Sequence, residues 1–420
     1  MSRPLHLFDA AGLELEYMVV RRDTGAVSPT VDRLMHARTG RFASDCRLGR
    51  CEASNELAAH VFELKVPRPA RDFIAAERAF ADAVARANRL LARDGTELLS
   101  GPMHPTMDPR HESTTWAHEG REIYEEFDRI FDCRGHGWFN LQSCHINLPF
   151  HGDDEFARLH AAVILLLPWL PALAAGSPFR EGRVTGWRDT RLDTYRRNQE
   201  RFPAIAGPIV PEPVFSEQEY HETIFAPMMR QVARVNRSGI LEAEWLNSRG
   251  AIARFSRGAI EIRVLDVQEC PRADMAIAAL VFATLRELVA RHGSRLPDLA
   301  RRVATRARRA QLLACARHGL DAPLRLGDGR EVFCLPARAT TARALWRHVL
   351  TRLVPADALA DSHREVITTI LDRGTLADRL LAARGRSRSF APVLRGLADC
   401  LAENRLFTSR VAGSPANRTG

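Results

Sequence analysis

Four short stretches set chemically competent side chains two residues apart inside otherwise apolar sequence: Glu14 and Glu16 in GLELEYMVV, Glu63 and Lys65 in FELKV, His145 and Asn147 in CHIN, and Glu261 and Arg263 in IEIRV. In an extended strand, residues two apart share a face, so each stretch aims its polar pair one way and its apolar residues the other. Taken singly, an ExE pair is ordinarily a solvated strand face and a lone histidine a satisfied core residue. Together, four carboxylates and an imidazole on one face would repel one another unless cations lay between them. Oxygen donors with a single histidine suit Mg2+ or Mn2+, and such ions commonly complete their shells with substrate phosphates. Lys65, Arg254 and Arg263 would then meet phosphate or carboxylate oxygens. The predicted chemistry is phosphoryl transfer from a metal-bound nucleotide, in which positioning and charge neutralisation do most of the catalysis. The chain has no GxxxxGK[ST] or GxGxxG phosphate loop to offer a different nucleotide site.

These side chains need strands to aim them. LELEYMVV reads as a strand over 13–20, VFELKV as another over 61–66, and 138–150 as a third. AIARF and AIEIRVLDV, separated by SRG, predict an antiparallel hairpin. Between the first two strands, ASNELAAHVFELK could start helically from a Ser54 or Asn55 cap, which would put Glu56 on a helix. Apolar residues at three-and-four spacing with a glycine stop predict an amphipathic helix over 69–95. Further helices are expected over 155–175, from Pro271 to about Arg291, and through most of the remainder, with AGSPANRTG as a loose tail. Strands mixed with long helices and joined by hairpins give an α+β fold on a mainly antiparallel sheet. The division expected is a catalytic sheet-and-helix core over 1–290 and a helical region over 291–420 packed on it.

Composition sets the bounds. The 420 residues, 45% apolar, suffice for a large core. Net charge is +9, divided as −4 over residues 1–290 and +13 over 291–420. All 60 basic residues but Lys65 are arginine, a compositional bias that lowers the weight of any single arginine. Eight scattered cysteines and a polar start predict a reducing cytoplasm. The segment 159–176 is barely long enough to span a bilayer and is broken by Pro168 and Pro171, so a kinked buried helix is expected instead of a membrane span. Cys144 faces away from His145 on the same strand, which argues against a catalytic thiol. Cys133, His136, Cys144 and His145 lack the pairing of a zinc site.

The order GLELEY, FELKV, HIN, SPF and IEIRVLD resembles the glutamate-cysteine ligase family, among the glutamine-synthetase-like carboxylate-amine ligases, over about Leu13 to Ala279. The resemblance implies a twisted, mainly antiparallel sheet of glutamine-synthetase-like type flanked by helices. It also implies an enzyme that uses ATP and Mg2+ to phosphorylate a carboxylate, commonly the γ-carboxyl of glutamate, before an amine attacks the acyl phosphate. Carried over by position, Glu14, His145 and Glu261 share one metal, Glu16 and Glu63 hold a second, and Glu56 helps hold a further ion. Arg263, Glu261 and Glu63 are the catalytic candidates, with Arg263 stabilising the transferring phosphoryl group. Lys65, Arg254 and Arg263 bind the nucleotide. The SPF loop (Ser177, Pro178, Phe179), Arg183 and Arg196 resemble the segment that receives the substrate amino acid. The family's central motif commonly reads HVH; here Asn147 stands at the second histidine, which bears on the identity of the acceptor amine.

The function expected is therefore an ATP-dependent glutamate-cysteine ligase acting on small-molecule substrates, without membrane association, with homo-oligomerisation left open. The alternatives are a ligase with another amine acceptor, a phosphotransferase on guanidino substrates, and, in a different class, a nucleic-acid-binding or regulatory protein using the basic RRVATRARRAQ stretch at 301–311. A solvated helical face accounts for that stretch more simply.

Overall fold

The computed structural model describes residues 4–325, 327–387 and 389–408; the expected tail lies outside them. The strands among the described residues are β1 (Gly12–Arg21), β2 (Asp45–Leu48), β3 (Cys51–Asn55), β4 (Val61–Lys65), β5 (Thr96–Leu99), β6 (Ser143–Pro149), β7 (Phe179–Arg180), β8 (Arg183–Val184), β9 (Ala251–Arg254) and β10 (Ala259–Asp266). Eight form one antiparallel sheet in the order β2-β3-β4-β1-β6-β10-β9, with β5 pairing the far end of β1; β7 and β8 make a separate ribbon. The fold is thus α+β on an antiparallel sheet, with a helical C-terminal region.

One face of the sheet is apolar because the alternation in sequence makes it so. Leu13, Leu15 and Tyr17 on β1, Phe62 and Leu64 on β4, Cys144 and Ile146 on β6, and Ile260 and Ile262 on β10 are all buried. They share one hydrophobic core with the helices Phe73–Leu91, Gly152–Leu166 and Pro271–His292. The first of these starts at Phe73, four residues later than the sequence suggests, because Asp72 caps it by accepting from the amides of Ile74 and Ala75. The apolar segment of Gly152–Ala174 is long enough to cross a membrane, but 89% of its most apolar 18-residue stretch is buried inside the fold. It is broken by a 3-10 turn at Leu167–Trp169 that contains Pro168.

Of the C-terminal helices, Asp361–Arg373 joins this core, whereas Leu376–Arg384 and Ala391–Glu403 build a second apolar cluster with Met18, Val20 and Leu99. Asp361–Arg373 lies against Pro271–His292, and Ala391–Glu403 against β5 and Phe73–Leu91. Buried Glu77 ties them together: it accepts from Asn404 Nδ2 (2.9 Å) and Arg272 Nε (3.3 Å) and meets His363 Nε2 at 2.9 Å. Within the basic stretch, Arg308 is buried and donates to the carbonyls of Ala300 and Val303, each at 2.7 Å, so part of that charge holds helices together.

Two local expectations fail. Residues 51–65 form the β3–β4 hairpin with no helix, so Glu56 stands in the connection, because sheet pairing outweighs the capping propensity of Ser54 and Asn55. The stretch from Trp138 begins as a helical turn, His136–Phe139, and becomes strand only at Ser143.

Candidate functional site

Strand register carries the polar pairs to one place. Glu14 lies opposite Lys65 on β4 and His145 on β6, Glu16 opposite Glu63, Glu63 opposite Ser54 on β3, and Glu261 opposite Asn147. Partners in register share a face, so these residues form one polar surface on the side of the sheet away from the core. Gly12 faces Asn147, and a Cβ there would come within 3.0 Å of the Asn147 Cβ. Above this surface lies a cavity of about 740 Å3, walled by Tyr124, Phe127, Trp138, Tyr195 and Trp245.

The acids are held by a chain of hydrogen bonds. Ser143 donates its amide (2.6 Å) and its Oγ (2.8 Å) to Glu16 Oε2, and that Oγ lies 2.8 Å from His145 Nε2. His145 Nδ1 meets Glu14 Oε2 at 3.1 Å, and Asn147 Nδ2 donates to Glu14 Oε1 at 3.2 Å. Glu63 accepts from Ser54 Oγ (3.3 Å) with Lys65 Nζ 3.6 Å away. Asn55, beside Glu56, donates to the Tyr124 hydroxyl at 3.1 Å. Two donor groups result, each with its ligand atoms within 4.8 Å of one another: Glu14, Glu63 and His145, and Glu16, Glu56 and Glu63. Glu63 belongs to both. The sequence reading instead makes Glu14 and Glu261 partners around His145.

Electrostatics tests whether a cation fits. Burial, then Glu14 and Glu16, push the Glu63 carboxyl well above the usual carboxylate range; burial, then Glu63 and Glu16, do the same to Glu56. Burial acts against ionisation of Glu14 too, but the hydrogen bond and charge of His145 more than offset it, so its pKa is lowered. The same contact raises His145 against the effect of burial. Carboxylates close enough to raise the pKa of Glu56 and Glu63, with one imidazole among them, are a donor set that suits a hard divalent cation. Among the described residues the cysteines contribute to neither group, and Cys133 and Cys144 are buried.

Glu261 is placed differently from the expectation. Arg254 Nε donates to one of its oxygens (2.8 Å) and Arg263 Nη1 to the other (2.6 Å). Burial would raise its pKa, but Arg263, His145 and Arg254 lower it to about 2. Burial opposes the charge on Arg263 while Glu261 sustains it, leaving the guanidinium above its ordinary value. The register of β10 on β6 slips between Ile262 and Leu265, a bulge that sets two β10 residues, Arg263 and Val264, against one on β6. Gly250 permits it: a Cβ there would lie 2.5 Å from Val264 Cγ1. Arg191, buried beneath, donates Nη2 to the Arg263 carbonyl (2.8 Å) and Nη1 to Asp266 (3.5 Å).

The structure brings together Glu14, Glu16, Glu56, Glu63, Lys65, His145, Arg254, Glu261 and Arg263 around the cavity, with Asn147 holding Glu14 from the rim. It does not bring Arg183 or Arg196. Arg183 is exposed on the β7–β8 ribbon, and Arg196 is paired with Asp193 three residues earlier (2.6 Å). From the same segment, Arg191 and Tyr195 line the cavity instead. Sequence reasoning missed Ser143, Arg191, Tyr124 and Trp245. The i+2 pattern that exposed His145 extends back to Ser143, but nothing local distinguishes the other three.

The sequence and the fold are similar to those of known proteins. A model of glutamate-cysteine ligase family 2 matches residues 10–394. The chain is 38% identical over 261 residues to a protein of Archaeoglobus fulgidus without an assigned function, covering 61% of this chain and 69% of that one. It is 27% identical over 396 residues to a protein of Rubrobacter xylanophilus provisionally named glutamate-cysteine ligase 2-3, covering 93% and 96%. The fold is similar, with a TM-score of 0.65 at 12% identity, to the crystal structure of a glutamate-cysteine ligase of Francisella tularensis in complex with AMP, over 96% of this chain and 90% of that one.

Proposed function

The chain belongs to glutamate-cysteine ligase family 2, and on that premise we propose that this ligase uses Mg2+ and ATP to join the γ-carboxyl of glutamate to an amine, cysteine being the acceptor. One observation carries the reading: two groups of buried and half-buried donors that share Glu63 and sit beside two arginines clamped on Glu261. Bound divalent ions would neutralise the nucleotide phosphates and make the γ-phosphoryl group electrophilic.

The protein's own groups do the rest. Glu14, Glu63 and His145 would hold one ion and Glu16, Glu56 and Glu63 another, while Ser143 and Asn147 fix the acids in place. Glu261 acts as the anchor of Arg254 and Arg263, so that Arg263 meets the charge developing on the transferred phosphoryl group with no reorganisation. An oxygen of the substrate carboxylate attacks the γ-phosphorus and ADP departs. The amine nitrogen then attacks the acyl carbon, phosphate departs, and the amine proton is lost as the amide forms. Tyr124, Phe127 and Trp138 form a wall that excludes water from the acyl phosphate, which would otherwise hydrolyse. Eight free thiols suit a reducing cytoplasm.

A second reading, the same chemistry with another amine, is favoured by Asn147, which donates to Glu14 where the family commonly has a histidine. The test is an amino-acid panel with Mg·ATP, reading ADP release and product mass together. ADP with a γ-glutamylcysteine mass supports the proposal, and ADP with another amide supports the second reading. ADP with a phosphorylated product and no amide refutes both.

A further inference from the structure

Of the six tryptophans, Trp245 alone is exposed, at 56%. It is not on a loose segment. It lies in the short helix Ala243–Leu246, where the Glu244 carboxylate accepts from Ser256 N (3.1 Å) and Ser256 Oγ (2.6 Å) on the turn between β9 and β10. Arg254 Nη1 donates to the Glu244 carbonyl (3.3 Å), and Asn247 Nδ2 donates to the buried Tyr220 hydroxyl (2.8 Å). Residues on both sides of Trp245 are therefore tied down, Glu244 to the β9–β10 hairpin and Asn247 to Tyr220, and the indole is held out at the cavity wall.

An indole kept in water forgoes most of the free energy its burial would supply, so a fixed, exposed tryptophan beside a polar cavity calls for a ligand surface that covers it. Arg254 says which kind. Its guanidinium lies 5.5 Å from the Trp245 ring centroid, while its Nε is bonded to Glu261, 2.8 Å away. Moving inward from the rim, a ligand meets an aromatic face, then a fixed cation, then the carboxylate groups suited to divalent ions. That sequence matches a flat uncharged ring joined to a polyanion. We propose that Trp245 is the stacking platform for the adenine base of the nucleotide, with the phosphate chain running past Arg254 toward the donor groups around Glu63. This rests on the nucleotide-dependent ligase reading and adds to it the residue that recognises the base. Stacking has no directional readout, so base discrimination at Trp245 is weak, and selectivity over other purine nucleotides is modest.

The test uses the full-length protein with Mg2+ and compares Trp245→Phe and Trp245→Ala with wild type. ATP and inorganic tripolyphosphate serve as ligands, followed by intrinsic fluorescence and by calorimetry. ATP is expected to quench the wild-type emission, and both variants to lose that quench because the reporting ring is gone. Trp245→Ala should bind ATP about ten-fold more weakly with tripolyphosphate affinity unchanged, and Trp245→Phe should retain most of the ATP affinity. The inference is overturned if Trp245→Ala binds ATP as wild type does. It is equally overturned if that variant loses ATP and tripolyphosphate together, which would mean the ring acts only through Arg254, or if only the KM of the acceptor amine moves. A wild-type protein that binds neither ligand refutes the ligase reading itself, a result distinct from these three.

Discussion

Glu63→Gln separates metal binding from stability in opposite directions. Glu63 is the one residue common to both donor groups, and its ligand oxygen lies within 4.8 Å of those of Glu14, Glu16 and Glu56. At an effective dielectric constant of about 20, two unit charges 4.8 Å apart repel by about 3.5 kcal/mol, and proton uptake relieves part of that. Glutamine still accepts from Ser54 Oγ and loses only the contact with Lys65, a partly exposed pair worth less than about 1 kcal/mol. Without metal, the variant should therefore be more stable than wild type by about 1 to 3 kcal/mol, a rise in Tm of about 2 to 6 °C at roughly 2 °C per kcal/mol for a chain of this size. With Mg2+ the gap narrows. At a hundred times its Kd, the ion stabilises wild type by about 2.7 kcal/mol, and the variant, one donor short in both groups, should gain less than half of that. Thermal scans and urea titrations in EDTA and in MgCl2 read both effects. A metal-free variant less stable than wild type, or one keeping the full Mg2+-induced shift, refutes the two-group arrangement.

Glu14→Gln should abolish turnover at saturating Mg2+ with the fold intact, and near-normal steady-state rates would sink the assignment of Glu14 as a ligand. Glu261→Gln should also abolish turnover and, by stranding the half-buried cations Arg254 and Arg263, should lower stability by about 1 to 3 kcal/mol, read by urea denaturation. Arg263→Lys should lower kcat more than it weakens ATP binding, because one ammonium cannot reproduce a guanidinium fixed on Glu261; equal losses in both would contradict a transition-state role. The raised Glu56 and Glu63 carboxyls bind more protons folded than unfolded above the ordinary glutamate value of about 4.3, so their contribution to metal-free stability falls as pH rises through their folded pKa values. The stability gap between Glu63→Gln and wild type should accordingly widen with pH in EDTA, and Mg2+ uptake should release protons, detectable by calorimetry in buffers of different ionisation enthalpy.

What the sequence determined by itself was the set of chemically active strands. Period-two alternation in β1, β4, β6 and β10 obliges Glu14, Glu16, Glu63, His145, Glu261 and Arg263 to share a polar face, because a strand cannot bury one side without presenting the other. The β9–β10 hairpin was legible for the same local reason. The strands β2, β3 and β5 were not, and the misread start near Ser54 shows cross-strand pairing overriding local propensity. Only the tertiary structure decided which acids meet. Register makes Glu63 the shared residue, and a bulge at Arg263 with Gly250 behind it commits Glu261 to two arginines. It also replaced Arg183 and Arg196 with Arg191, and brought Trp245 from a stretch without pattern to the cavity rim. Those choices depend on distances between segments far apart in the chain, and a pattern of spacing fixes only the direction in which each side chain leaves its own strand.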